Sequence, residues 1–515
     1  MKSSSDFIWH LIRSLTPGEK LFFRRNFASV KDGLYLKLFA AIAAQKKYNE
    51  AALLRKFAPA LTKKNIASQK HYLQKKVCEA LVAHDSRDNA THDIYTRIQL
   101  IRVYRKKGLL DEAHDVWKKA VTQARATESF ALLNLLKTEF EKMILSSSTH
   151  TRYDELHSLF KGHIITYAQY ADMITLRDIY AETVLLKRKT HFDPNKARQK
   201  KLTGLLEQVE ACNQPAYAQS FWFRHYYLSS KATLLYLLNR GEAAADLLKE
   251  LFGHWKKHTD FIITNGEHFI ELLYMINYVY ILRKEYAYVE QVFNDPINLL
   301  IKDPLQRANF EANKYLALNK VFNKTARYAE VEQLVKYMKA RYQQWEPMLN
   351  SDMNQTVNLS LGIGSLVMEK YDDALYFTRR ALQYFKDGTR EELASVAQLL
   401  LLLIAYHLNN DRLFDAQYRN TYTYFYRRKK KHPFEAAFLQ CLHRNFYEAD
   451  SRVRQQEYER ALGVFEKNKQ DQVQEMTINI FNFPAWLMSR VQRMSYRHYV
   501  EKQLKNKNSS ADFMV

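Results

Sequence analysis

The stretch Leu361–Leu382, LGIGSLVMEKYDDALYFTRRAL, contains two helical patterns joined by a short break. Leu361 and Gly362 stand on the first, Tyr371 and Ala374 on the second, and Ala381 follows seven residues after Ala374. A small side chain at Ala374 lets two antiparallel helices approach closely while large neighbours fill the flanks. The segment therefore predicts a helix–turn–helix unit.

The same offsets recur along the chain. LIRVYRKKGLLDEAHDVWKKA sets Leu100, Tyr104, Gly108, Ala113, Trp117 and Ala120 in register. LFAAIAAQKKYNEAALLRKFA does so with Leu38, Tyr48, Ala51 and Ala58, and LLIAYHLNNDRLFDAQYRN with Leu403, Leu413 and Ala416. Weaker copies centre on Leu156, Ala197, Ala244, Val289, Val331 and Ala461. From Ala51 to Ala461 the steps are 62, 43, 41, 47, 45, 42, 43, 42 and 45 residues. The long first step leaves room for an extra helix starting near Asn65, and Pro296, Pro347 and Pro433 fall where second helices must stop.

These small-and-large offsets resemble the tetratricopeptide repeat, although a period near 43 exceeds that repeat's usual 34 and overlaps the HEAT-like range. The resemblance implies an all-α fold, a right-handed α-solenoid of about ten helix–turn–helix repeats. Its expected organisation is a basic helical cap with one repeat over 1–90, the array over 91–470, and a capping helix with a frayed tail over 471–515.

Composition agrees with long helices. Among 515 residues there are only 12 Gly and 9 Pro, too few for many tight hairpins. Cys78, Cys212 and Cys441 make no disulfide or zinc pattern, which favours a reduced, cytoplasmic setting. The first residues contain no apolar signal-peptide block, and the run LLLLLIAY from Leu399 is far shorter than the roughly 18 residues of a membrane span. No membrane association is expected. Net charge is +23, and residues 1–83 carry 16 Lys/Arg against 5 Asp/Glu, so an acidic partner is favoured.

In SLTPGEKLFFRRNF (Ser14–Phe27), Thr16 and Glu19 form a capping box, Pro17 takes the first helical position, and Phe22, Phe23 and Phe27 make an apolar stripe. The LTPGE step is similar to the opening of LuxR-type helix-turn-helix domains, but no matching scaffold helix follows. Ser14, Leu15, Glu19, Lys20 and Phe23 also resemble the start of tetratricopeptide-like proteins of Bacteroidota, a likeness that implies no activity. A terminal cap is therefore preferred over a DNA reader. The only candidate recognition helix is LTKKNIASQKHYLQKKV (Leu61–Val77), with Lys63, Lys64 and Lys70 along it.

No phosphate-binding glycine loop occurs, and no nucleophile stands with a base, so no enzyme activity, cofactor or metal is expected. His254 and His258 have i, i+4 spacing but read as a solvated helix face, and HFDPN at His191 reads as a turn. Arg427, Arg428, Lys429, Lys430 and Lys431 follow Tyr422, Tyr424, Phe425 and Tyr426, a mixture used for single-stranded nucleic acid but also suited to a packed helix end. Arg490, Arg493, Arg497 and Lys502 read as one face of a closing helix.

The tetratricopeptide resemblance implies that the first helix of each pair lines a ligand groove. Its groove offsets fall on Arg102, Arg105 and Lys106, then Tyr226 and Tyr236, then Tyr274 and Tyr278, then Asn313, Lys320, Asn323 and Lys324. In the Ala374 repeat they fall on apolar Leu359, Ile363 and Leu366. Only the repeat holding Lys320 and Asn323 comes near the family's carboxylate clamp. The function expected is a non-enzymatic scaffold for a protein or peptide. The alternative is a nucleic-acid-binding regulator acting through Arg24, Arg25, Lys63, Lys64, Lys70 or the Arg427–Lys431 run.

Overall fold

The computed structural model describes residues 6–26, 34–85, 90–145, 167–189, 196–212, 220–385, 391–428 and 432–507. Among them there are 26 α-helices and no strand. The chain divides into two compact units, residues 1–164 and 165–515. The division falls inside the array expected over 91–470.

In the first unit, helices Phe7–Ser14, Pro17–Asn26, Leu34–Ala43, Glu50–Lys56 and Ile66–Asp85 enclose a core of Ile12, Phe23, Leu38, Ile42 and Leu73. The capping box is formed: the Thr16 amide donates to Glu19 Oε2 at 2.6 Å, and the Glu19 amide donates to Thr16 Oγ1 at 3.2 Å. Phe23 is buried against Phe39, while Phe27 lies outside the described residues. Helices Ala90–Lys106, Leu110–Ala126 and Phe130–Leu145 form a second core around Trp117, whose indole donates to the Leu136 carbonyl at 2.8 Å.

In the second unit, Tyr167–Lys189 and Lys196–Ala211 precede six helix pairs. The pairs are Phe221–Leu237 with Gly241–Lys257, Gly266–Leu282 with Tyr286–Phe293, and Pro304–Lys324 with Tyr328–Trp345. Ser351–Val367 with Tyr371–Gln383, Glu391–Leu408 with Asp411–Arg427, and Pro433–Tyr447 with Ser451–Lys467 complete them. From Phe221 to Tyr447, each first helix packs against its own second helix and the next first helix.

One turn recurs between paired helices. Gly108, Asn239, Lys284, Ala326, Glu369 and Asn409 all adopt positive φ, and a second helix starts two residues after each. In five of these turns the next amide reaches back to the carbonyl five residues earlier. The donor–acceptor pairs are Leu109 to Tyr104 at 3.0 Å, Arg240 to Leu235 at 2.8 Å, Glu285 to Tyr280 at 3.0 Å, Arg327 to Phe322 at 2.8 Å, and Lys370 to Ser365 at 2.9 Å. This is the Schellman arrangement, which satisfies end carbonyls of the first helix. It needs a left-handed residue but not glycine, which is how so many reversals coexist with so little glycine.

The third residue after each of these helix starts is buried: Ala113, Ala244, Val289, Val331, Ala374 and Phe414. From Ala244 onward these positions follow at 45, 42, 43 and 40 residues. Three anchors chosen from the sequence are out of register with this. Ala51, Ala197 and Ala416 are exposed, and the equivalent buried side chains beside Ala51 and Ala416 are Leu53 and Phe414. The alanines there are small surface residues, because large side chains fill the helix–helix contacts. Leu156 lies outside the described residues.

The C-terminal segment differs from a single closing helix. It forms Gln472–Ile480, Phe483–Val491 and Tyr496–Lys507. Arg493 adopts φ 54°, and the Met494 amide donates to the Ser489 carbonyl at 2.9 Å, so the basic run is cut by another left-handed turn. Arg490 lies over the Trp486 ring and Arg497 over the Tyr328 ring. Trp486 is buried and donates its indole N–H to His407 Nε2 at 3.1 Å. These helices fold back onto earlier pairs.

Two measurements check this account. Replacing Lys284 by Gly removes left-handed strain from a side chain, and its urea midpoint should correspond to about 0.5–1 kcal/mol of added stability, whereas Lys284→Val should lose stability. A Cβ on Gly362 would lie 2.3 Å from Thr378 Oγ1 and 3.2 Å from the Thr378 amide nitrogen. Gly362→Ala should therefore lose about 1–2 kcal/mol despite alanine's better helix propensity, and the loss should shrink in a Thr378→Ala background.

Candidate partner-binding face

Three successive first helices of the second unit keep a row of side chains uncovered along one side, which forms a stripe. On Gly266–Leu282 it comprises Glu267, Glu271, Tyr274, Tyr278 and Leu282. On Pro304–Lys324 it comprises Asn309, Leu316, Lys320 and Lys324, and on Ser351–Val367 it comprises Asp352, Thr356, Ser360 and Ile363. The i, i+4, i+7 spacing places each set on one side of its helix.

The stripe ends on both sides because its continuation is covered. On the helix Phe221–Leu237 the corresponding positions Tyr226, Thr233 and Leu237 are buried. Tyr226 packs within 5.6 Å of Trp222 and 5.4 Å of Tyr180, measured between ring centroids. On Glu391–Leu408 every residue from Leu399 to Ala405 is buried, and helices Pro433–Tyr447 and Gln472–Ile480 pack against this helix. The apolar run from Leu399 is thus a helix enclosed on all sides. No helix among the described residues is long and apolar enough to cross a membrane.

At one end of the stripe Lys187 enters from Tyr167–Lys189. It is only 2% exposed, pairs with Glu271, and lies 4.9 Å from the Tyr274 ring centroid and 3.3 Å from Met275 Sδ. The Tyr274 and Tyr278 hydroxyls are 2.9 Å apart. In the next pair, Asn323 Nδ2 donates to the Asn319 carbonyl at 2.7 Å, and Asn319 Nδ2 donates to Ser360 Oγ at 2.8 Å. Side-chain amides thus stitch neighbouring first helices together beneath the stripe.

The residues named from the sequence separate into three groups. Tyr274, Tyr278, Lys320, Asn323 and Lys324 are half-buried on two first helices that pack together. Tyr226, Tyr236 and Asn313 are buried, at 7%, 4% and 3% exposure, so they support the fold and do not line a surface. Leu359 and Leu366 are buried as well, and only Ile363 of that repeat reaches the stripe. At Tyr226 the offset lands on the stripe position itself, but the rings of Tyr180 and Trp222 cover it.

Arg102, Arg105 and Lys106 belong to the first unit. Arg102 is held by Glu139 at 2.9 Å, and Lys142 reaches the same carboxylate at 3.2 Å. Burial acts to raise the Glu139 carboxyl, but hydrogen bonds from Arg102 and Lys142 outweigh it and hold it below the ordinary carboxylate value. Lys106 is exposed and Arg105 half-buried.

Among the residues considered for nucleic acid, Arg24, Arg25, Lys63 and Lys64 are exposed. Lys70 is committed to Glu50 at 2.5 Å and to the Tyr48 hydroxyl at 3.3 Å. Arg427 is exposed, Arg428 is committed to Glu435 at 2.5 Å, and Lys429, Lys430 and Lys431 lie outside the described residues.

His254 is not on a solvated face. Its ring stacks on Phe221 at 4.8 Å, and burial pushes the imidazole down to about 4. No group of three or more His, Cys, Asp or Glu among the described residues is placed to hold a metal. HFDPN lies outside the described residues. The sequence missed Lys187 and Glu271, because their pairing joins helices 84 residues apart outside the repeat register. A buried lysine was the available signal, and only packing reveals it.

No protein-family model matches this sequence, and no curated protein matches it either.

The Lys187–Glu271 pair supplies a direct test of how the stripe is held. Glu271→Gln leaves a buried ammonium without its counter-charge and should cost about 3 kcal/mol by chemical denaturation. The double variant Lys187→Met/Glu271→Leu should recover most of that loss, because neither charge then remains to be desolvated.

Proposed function

We propose that the chain is a non-enzymatic, cytoplasmic scaffold, a tetratricopeptide-like α-solenoid that binds a protein or peptide along the first-helix stripe of its second unit. What supports this most is the selective exposure of that stripe. Three successive first helices leave Tyr274, Tyr278, Leu316, Lys320, Lys324 and Ile363 accessible, while flanking helices are covered. Tyrosine offers a flat apolar surface with a hydroxyl, and Lys320 and Lys324 on the next first helix suit an acidic segment. Glu271 is already paired to Lys187, and Glu267 and Asp352 lie toward the helix starts. The overall charge of +23 favours the same class of partner.

A second reading is favoured by the first unit, where Lys63 and Lys64 precede the helix Ile66–Asp85 and Ser68, His71, Tyr72 and Lys75 are exposed on it. A regulator that contacts nucleic acid would use these side chains.

Photo-crosslinking decides the main proposal. A benzophenone amino acid placed at Tyr274, Leu316 or Ile363 in cells of the native host should capture one common protein, and the same probe at Tyr376 should not. For the captured partner, Tyr274→Ala with Lys320→Glu should weaken binding about tenfold or more. Equal capture from both positions would sink the proposal.

A further inference from the structure

The helix Asp411–Arg427 carries a row of tyrosines that the first-helix stripe does not use. Tyr418, Tyr422 and Tyr426 stand four residues apart, so they climb one side of the helix in steps of about 6 Å. Tyr418 is half-buried, Tyr422 is 50% exposed and Tyr426 75% exposed. The row is already ordered by stacking: Tyr418 lies 4.1 Å from His443 at an interplanar angle of 30°. The Tyr422 ring follows 6.4 Å beyond Tyr418, again at 30°.

The helix that carries this row is also basic. From Ala416 to Phe434 there is no Asp or Glu, while Arg419, Arg427, Arg428 and Lys429–Lys431 are all cationic. Arg428 is excluded from ligand contact because it is engaged by buried Glu435 and by Ser395 Oγ. Arg419 and Arg427 are exposed. The nearest carboxylate on the helix, Asp415, accepts a hydrogen bond from the Tyr447 hydroxyl at 2.5 Å. Complementing the helix dipole accounts for Arg427 at the last turn. Arg419 stands two turns inside, where its Nε donates to the Asp415 carbonyl at 3.3 Å, and the rings of Tyr422 and Tyr426 keep at least half of their surface accessible.

We propose that this face binds single-stranded nucleic acid, with bases stacking on Tyr422 and Tyr426 and phosphates contacting Arg419 and Arg427. Stacking and charge without base-edge donors make such a strip tolerant of sequence. It is independent of the scaffold proposal and lies on a second helix, not on the first-helix stripe.

The test is fluorescence anisotropy on the full chain with labelled oligo(dT) and oligo(U) of about 15 nucleotides, across a range of salt. Binding should weaken as salt rises, and a blunt duplex of equal length should bind less tightly. Tyr422→Ala/Tyr426→Ala should weaken both oligonucleotides about tenfold or more, with an unchanged urea midpoint, whereas Tyr422→Phe/Tyr426→Phe should retain binding. Tighter binding of oligo(U) or of oligo(dT) would support the strip and identify its strand chemistry. Absence of binding at low salt would overturn it. So would polyglutamate competing as well as an oligonucleotide, which would mark the face as a site for acidic protein. Full binding by the alanine variant, lost instead on Lys63→Glu/Lys64→Glu, would overturn it in favour of the first unit.

Discussion

The fold of the second unit depends on how closely one helix can be pressed between two others. Ser351–Val367 shows this at Gly362 and Gly364, two residues apart and so on nearly opposite sides. A Cβ on Gly362 would meet Thr378 of its own partner helix, and one on Gly364 would come within 2.7 Å of Val335 Cγ2 from the preceding pair. The missing side chain at Gly362 admits the backbone of Thr378 and Ala374, and the one at Gly364 admits the side chain of Val335. Close packing of this kind gains dispersion contacts over a long interface and leaves little tolerance for added volume. Where neighbours need less proximity, as at Asn319 opposite the same place in the preceding pair, a side-chain amide bridges to Ser360 instead.

This layering also accounts for the location of the exposed stripe. A first helix that touches its partner, its predecessor and its successor has one side left. Where other segments cover that side, the same positions are buried, by an all-apolar run at Leu399–Ala405 and by Tyr226, Thr233 and Leu237 on Phe221–Leu237. Where none does, polar and aromatic residues appear at the same positions. The C-terminal helices take part in this covering, with Trp486 against His407 and Tyr406 and Arg497 over Tyr328. His407 is accordingly pushed down to about 3, by burial first and by nearby Arg490 second, and stands neutral as acceptor for the indole. It is a structural histidine.

Much of the helical plan was legible in the chain. Periodicity located the turns before Ala113, Ala244, Val289, Val331 and Ala374, Thr16 and Glu19 marked a helix start, and the extra helix after Asn65 is present as Ile66–Asp85. The candidate face was only partly legible. Tyr274, Tyr278, Lys320 and Lys324 were found by offset, but Tyr226, Tyr236 and Asn313 had the same credentials and are buried. A helical offset specifies an angle around an axis. It does not say whether another segment lies at that angle, and for Tyr226 the covering ring is Tyr180, forty-six residues earlier.

The sequence by itself determined the local structure: helical spans, their caps and their pairing, because these depend on contacts between residues a few turns apart. The turns were fixed locally too, by backbone hydrogen bonds that Asn, Lys, Ala or Glu close at the cost of a left-handed backbone that Gly adopts freely. Only the tertiary structure decided which aromatic and charged side chains reach solvent. That outcome depends on segments far apart in the chain, Lys187 on Glu271 and Arg497 on Tyr328, whose meeting has no period to read. Burial is a property of the whole packed arrangement, whereas helix formation is a property of its parts.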